Sequence, residues 1–522
     1  MAVNNVCLVV IDGWGVSDDV EGNAIRKAQT PCMDKIMAPG KHCELEASGL
    51  FVGLPRGKGS NSTVGHLNIG VGRICWQDTL RVNLAVEDRT LSNNPALVKT
   101  FDVAKKHSGR VHFLGLVSDG GVHSHINHLL VLLDSARLHG IRDSFIHMFS
   151  DGIDSAPTSG AGFAEVLANH IKETKYGQLA SVTGRYYAMD RDKQWDRTKI
   201  AYEALVEGKE SDECSVDRLA TMMEQKYSLV AEKKQLDEFI QPIMLTKDGL
   251  IRDGDTLVFF NHRGDRMEQL VECFAYKGPF EYNCKPTNLN ICTMTSYKSS
   301  WHFPVMFPPV NYKNVLAEVI SNHGLAQFRC AESVKTASVT TWFNGGVEHA
   351  FPMEDRLVVP STKLPMVGSP TVPSYDLKPA MSGMEIAVEM EEAVASGNYS
   401  FLMCNLCAPD IVAHTGAFNA TVEAVAETDK AIGVIMRACE MHGYTMMVVG
   451  TYGNAESMAP GRLTADISHT CNKVPFVMTG TNRTFRTIPR DATQCDIAPT
   501  ILNLMGLQAP LEMDGVSLLA RL

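Results

Sequence analysis

The sequence predicts an α/β protein built on parallel sheet, and three observations carry that reading. Short apolar runs recur along the chain, at 6–11, 111–117, 145–149, 179–182, 257–260, 401–405 and 444–449. The first is uninterrupted rather than alternating, as a strand buried on both faces is. The runs end in polar clusters, so that the loops after them gather at one edge, where open α/β sheets place their function.

In chain order, the run from Val6 to Ile11 leads into Asp12-Gly13-Trp14-Gly15. A carboxylate at a strand tip is a metal-ligand candidate, and a lone Asp-Gly is also an ordinary turn. Gly59-Ser60-Asn61-Ser62-Thr63-Val64-Gly65-His66 then offers an accessible serine, Ser62, in what reads as the first turn of a helix. A hydroxyl there sits among unpaired N–H groups at the positive end of the helix dipole, which suits a phosphate or a developing anion. A serine cap in a glycine-rich turn fits the same window. Residues 53–60 are not a P-loop: the glycine spacing is one residue short, and Gly59 follows Lys58 where Ser or Thr is required.

From about 81 to 300, strand-like and helix-like segments alternate. Their polar ends contribute Arg185, Arg191, Arg263 and Arg266, and four guanidinium forks at strand ends favour a pocket for an anionic substrate. The Pro-rich aromatic stretch 301–312 reads as a connector. A helix follows at 381–395, and Asp410 and His414 lie four apart, on one face of a helical turn. Val422, Val425, Ile432, Met436 and Cys439 share one face of the next helix, which Gly443 stops. The strand 444–449 ends in Gly450-Thr451-Tyr452-Gly453-Asn454, and His469 stands just before a strand at 474–478.

At 522 residues the chain calls for two domains, or one with a sizeable insertion. A 45% hydrophobic, 20% charged composition is that of a globular protein, and a net charge of −11 argues against general nucleic-acid binding. The N-terminal run is too short for a signal segment or a membrane span and ends on Asp12, and no other window is long and apolar enough to span. The 14 cysteines are scattered without a compact framework, as reduced thiols are, which places the chain in the cytoplasm. The partner expected is a small anionic molecule, with no nucleic acid and no membrane, and the chain is expected to act as a monomer.

Several stretches together resemble the cofactor-independent phosphoglycerate mutases of the alkaline phosphatase superfamily. They are Val9 to Gly15, Asn61-Ser62 with Val64 to Gly70, Val117 to His125 and Gly184 to Asp192. Asn344-Gly345-Gly346, Ala408 to Gly416, Gly453 to Glu456 and Cys495 to Thr500 carry the likeness to the C-terminus. The resemblance implies an alkaline-phosphatase-like metal-binding domain, with helices on both faces of a mainly parallel sheet, built from 1–77 and 309–522. It implies an inserted α/β phosphotransferase domain at 78–308, and such an insertion suggests closure over the substrate. The implied reaction interconverts 3-phosphoglycerate and 2-phosphoglycerate, a step of glycolysis and gluconeogenesis, through a phosphoserine and without 2,3-bisphosphoglycerate. Ser62 corresponds to the nucleophile, and Asp410, His414 and His469 to the ligands of one divalent ion, usually manganese, with magnesium the alternative. His123, Asp154, Arg185, Arg191, Arg263, Arg266 and Lys335 correspond to the substrate-handling residues, Asp154 as the proton carrier.

The pattern is broken where a second ion would bind. Asp12 and Ser62 match two of its ligands, but the adjacent Asp-His pair of the family is Thr451-Tyr452. Neutral hydroxyls are poor substitutes for carboxylate and imidazole, so the second site is expected to be severely weakened. Ile153 stands for an arginine, Thr63 for a glutamate and Asp466 for a histidine, and Asp466 is a conceivable replacement carboxylate. These departures make a catalytically impaired homologue, still binding phosphoglycerate or a protein partner, the alternative to a mutase, with a phosphate-ester hydrolase behind both.

Overall fold

A computed structural model describes residues 4–37, 41–209, 211–228, 236–276, 278–361, 374–458, 469–488 and 490–520. Asp466 lies outside the described residues. The chain forms two compact units, one from Met1–Gln77 with Asn311–Leu522 and the other from Asp78–Val310.

The first unit is organised on a seven-stranded sheet. Its strands run in the order Glu354–Val359, Gln327–Glu332, Phe401–Leu406, Val6–Gly13, Thr445–Gly453, Val474–Thr479, His42–Leu45. The first five are mutually parallel, and Val474–Thr479 is antiparallel to both its neighbours. The central strand Val6–Gly13 is buried throughout. Its side chains alternate between two cores, Cys7, Val9 and Ile11 on one face and Val6, Leu8 and Val10 on the other. The helices Gly383–Ser396 and Phe418–His442 cover the first face. Ser62–Val71, Leu316–Asn322 and Ile497–Met505 cover the second. A run apolar at every position is therefore what this strand requires.

The second unit carries an eight-stranded sheet in the order Val305–Phe307, Asn290–Thr295, Thr256–Phe259, Arg110–Leu116, Asp143–Ser150, Gln178–Gly184, Ile243–Met244, Asp212–Glu213. The first six are parallel. Val111 and Phe113 face one core, Leu114 and Leu116 the other. The stretch read as a connector thus contributes an edge strand, Val305–Phe307, to this sheet. Short length and flanking prolines, which restrict a strand to the edge, hide it in the sequence.

In both sheets the carboxyl ends of the parallel strands share one edge, and the polar clusters sit there. No helix among the described residues is long and apolar enough to cross a membrane.

Candidate functional site

In the first unit Ser62 opens the helix Ser62–Val71, but it is not the cap. Asn61 caps the helix, its Oδ1 accepting from the Val64 N–H at 3.0 Å, which leaves the Ser62 hydroxyl to be engaged from outside the helix. Three groups engage it. Lys335 Nζ donates to Ser62 Oγ at 2.6 Å, Ser62 Oγ donates to Asp12 Oδ2 at 3.1 Å, and the Tyr452 hydroxyl lies 2.7 Å away. Tyr452 also donates to Asp410 Oδ2 at 2.8 Å. An ionised Asp410 can only accept, so the phenol's one proton is directed there, and its oxygen also accepts from Lys335 Nζ at 3.4 Å.

A backbone irregularity aims these side chains. Strands Val6–Gly13 and Thr445–Gly453 pair Ile11 with Gly450 and then Gly13 with Gly453. Two residues, Thr451 and Tyr452, therefore oppose the single Asp12, which is a bulge. The pair was expected to follow the strand; it lies inside it. Thr451 Oγ1 donates to Asp12 Oδ1 at 2.6 Å, and the Tyr452 ring stacks on His469 with centroids 4.0 Å apart. Gly13 follows with φ +77°, and a Cβ there would lie 2.7 Å from the Asp410 Cα. The tip of the first strand thus admits only glycine beside Asp410.

Lys335, just beyond the strand Gln327–Glu332, lies between two buried carboxylates, 2.7 Å from Asp12 Oδ2 and 3.2 Å from Asp410 Oδ2. Burial alone lowers the pKa of its ammonium; Asp12 and Asp410 outweigh burial and raise it above the ordinary lysine value. The reverse holds for Asp12, which burial pushes up and the Lys335 charge brings down below the usual carboxylate value. Burial, then Asp12 and Asp410, push the Tyr452 phenol well up, so it is neutral.

Asp410, His414 and His469 offer ligand atoms that all lie within 4.8 Å of one another. Asp410 Oδ1 is 3.2 Å from both imidazole Nε2 atoms, which are 3.0 Å apart. His469 Nδ1 donates to the Ser60 carbonyl at 2.6 Å, which fixes the ring and turns Nε2 toward Asp410. Asn454 Nδ2 donates to Asp410 Oδ1 at 3.0 Å and fixes the carboxylate. Two imidazole nitrogens and a carboxylate oxygen aimed at one point are a donor set that fits a divalent transition ion.

The second ion's residues do not fit. Asp12 is present, but Oδ1 is held by Thr451 and Oδ2 by Lys335 and Ser62. Thr451 and Tyr452 are both fully buried and neutral. An ammonium already stands between the carboxylates.

In the second unit the structure groups His123, Asp154 and Arg185. Arg185 Nη1 pairs with Asp154 Oδ2 at 2.6 Å and with Asp151 Oδ1 at 2.5 Å, while Nη2 donates to His123 Nε2 at 3.2 Å. Burial and then the Arg185 charge bring His123 down to about 4, so its Nε2 is an acceptor. Arg191 and Arg263 both reach Asp265 Oδ2, at 2.8 and 3.0 Å, and Arg266 donates to the Met189 carbonyl at 3.4 Å. Each follows a parallel strand. Ile153 is half exposed.

The sequence reading missed Asp151, Asp265 and Asn454. Asp151 Oδ2 accepts from Ser118 Oγ at 2.6 Å, and Oδ1 from the N–H groups of Ile153 and Asp154, so it anchors both the loop and Arg185. Its neighbours in the same polar clusters had been singled out; which acid faces an arginine is settled only by folding.

Comparison with known proteins bears on both units. The family model for the N-terminus of 2,3-bisphosphoglycerate-independent phosphoglycerate mutases matches residues 82–299. The 2,3-bisphosphoglycerate-independent phosphoglycerate mutase of Onchocerca volvulus is 46% identical over 520 residues, 98% of each chain. The Caenorhabditis elegans enzyme of that name is 45% identical, over 99% of this chain and 95% of its own. A crystal structure of Leishmania mexicana phosphoglycerate mutase at low cobalt concentration superposes with a TM-score of 0.62 at 26% identity, covering 100% of this chain and 98% of that one. With nearly half its residues shared along almost its whole length, the chain belongs to the 2,3-bisphosphoglycerate-independent phosphoglycerate mutase family.

Proposed function

We propose that the chain interconverts 3-phosphoglycerate and 2-phosphoglycerate without 2,3-bisphosphoglycerate, in the cytoplasm and as a monomer, with Ser62 as the transient phosphoryl acceptor. Family membership supports the reaction. The observation that carries the role of Ser62 is its hydroxyl at a helix N-terminus, 2.6 Å from the Lys335 ammonium and in contact with Asp12.

In the forward half, Ser62 Oγ forms a bond to phosphorus as the bond from phosphorus to the C3 oxygen breaks. The Ser62 proton leaves along its contact with Asp12, and the C3 oxygen takes one up. In the return half the C2 hydroxyl loses its proton as its oxygen takes the phosphoryl group, and Ser62 regains a proton. Asp154 moves the protons of the glycerate oxygens, while Arg185, Arg191, Arg263 and Arg266 bind its carboxylate and phosphate, with His123 beside them. Lys335 places a positive charge at the Ser62 oxygen, where negative charge gathers during transfer. A manganese or magnesium ion held by Asp410, His414 and His469 would add Lewis-acid neutralisation of the phosphoryl group.

The alternative, a homologue that binds phosphoglycerate or a partner without turnover, is favoured by one observation: Thr451 and Lys335 occupy the carboxylate of Asp12. One incubation separates the readings. Purified protein is given 3-phosphoglycerate and Mn2+ with no 2,3-bisphosphoglycerate. Formation of 2-phosphoglycerate that Ser62→Ala abolishes supports the mutase. Free phosphate alone supports a hydrolase, and no turnover with retained substrate binding supports the impaired homologue.

A further inference from the structure

We propose that this chain holds one divalent ion, at Asp410, His414 and His469, and that the Lys335 ammonium with the Tyr452 phenol fills the place of a second ion beside Ser62. The inference deepens the reading of Ser62 as the phosphoryl acceptor and rests on it for its meaning, though not for its test.

Geometry and charge point the same way. The bulge sets Thr451 and Tyr452, both fully buried and neutral, with their hydroxyls against Asp12 and Ser62. Thr451 takes one oxygen of Asp12, and Lys335 and Ser62 share the other. Tyr452 reaches across to Asp410 Oδ2 and Ser62 Oγ, with its ring against His469. Every oxygen that an ion beside Ser62 would need already has a protein donor. Two carboxylates with one ammonium leave a single negative charge, which one divalent ion at the histidines more than neutralises. A second would enter a positive cluster with no further anionic ligand among the described residues and would have to displace Lys335. Asp410 meanwhile divides its carboxylate, Oδ1 toward the two histidines and Oδ2 toward Lys335 and Tyr452.

Tyr452 is thereby a positioning residue. It donates to Asp410 and accepts from Lys335 Nζ at 3.4 Å, with its oxygen 2.7 Å from Ser62 Oγ, and so holds the serine oxygen in register with the ammonium. The Tyr452→Phe variant keeps the stacked ring and loses the hydroxyl. It is expected to keep one ion and, on binding 3-phosphoglycerate, to lower kcat by about tenfold or more with little change in KM.

Metal stoichiometry tests the inference without reference to turnover. Metal-stripped full-length protein is dialysed against Mn2+, and bound metal is counted per chain. The native chain is expected to bind one ion tightly, and the pair Thr451→Asp with Tyr452→His to bind two. Two tight ions in the native chain overturn the proposal, as does a folded double variant that still binds one. Should the double variant fail to fold, the native count decides alone. A count of one with no isomerisation leaves this inference standing and removes the mutase reading.

Discussion

Replacing Lys335 by methionine removes the charge and keeps most of the apolar stem, so its effect isolates the ammonium. That ammonium lies 2.7 Å from Asp12 and 3.2 Å from Asp410, with its side chain 11% exposed. Both carboxylates are essentially buried, and among the described residues Lys335 is the one cation at hydrogen-bond distance from Asp12. Removing one member of a buried ion pair costs about 3–5 kcal/mol, because the partner charge stays desolvated. A loss of that size is expected in urea denaturation of the metal-stripped protein. In an Asp12→Asn background the same substitution leaves only Asp410 uncompensated and is expected to cost distinctly less, which a double-mutant cycle reads as coupling. A loss below ~1 kcal/mol, or an equal loss in both backgrounds, would refute the reasoning, since breaking a buried pair cannot be that mild.

Three further expectations follow from the same geometry. His469→Ala removes one of the three convergent donors and is expected to weaken Mn2+ binding by at least ~10-fold, measured by equilibrium dialysis. Arg185→Met removes the fork between Asp154 and His123, and loss of a charge-assisted hydrogen bond worth about 1.5–3 kcal/mol should weaken 3-phosphoglycerate binding roughly 10- to 150-fold by calorimetry. Burial, the largest cause in each case, holds His123, His128 and His262 at about 4, 3 and 4, against an ordinary 6.5. With folded values depressed, the unfolded chain takes up protons first, so their contribution to stability is complete above 6.5 and is lost as pH falls toward 4. Each can steepen the loss by up to ~1.4 kcal/mol per pH unit, and a urea midpoint for the inserted unit that stays flat through that window would contradict the burial argument.

What the sequence made legible, and what it hid, follows from how local each feature is. The strand from Val6 and the helix face of Val425, Ile432, Met436 and Cys439 were readable because burial on known faces imposes its own period. Ser62 at a helix start and the Asp410-His414 spacing were readable for the same local reason. The role of Tyr452 was not. It depends on the register between strands more than 400 residues apart, where a single bulge sets two side chains against Asp12. Asn61 rather than a serine caps the helix, a choice among adjacent polar residues that spacing alone leaves open. Asp151 and Asp265 were passed over because neighbouring acids in one loop look alike until an arginine from another strand selects between them. Thr451-Tyr452 was legible as a departure, but the sequence could not show that Lys335 would lie between the carboxylates it concerns.

The most direct test of the account is a rapid-quench reaction of the Mn2+-loaded protein with 3-phosphoglycerate carrying a labelled phosphate, followed by peptide mapping. The account predicts label on the peptide that contains Ser62 while 2-phosphoglycerate forms, and none in Ser62→Ala. Accumulation of 2-phosphoglycerate with Ser62 unlabelled, or with Ser62→Ala as active as the native chain, would contradict it.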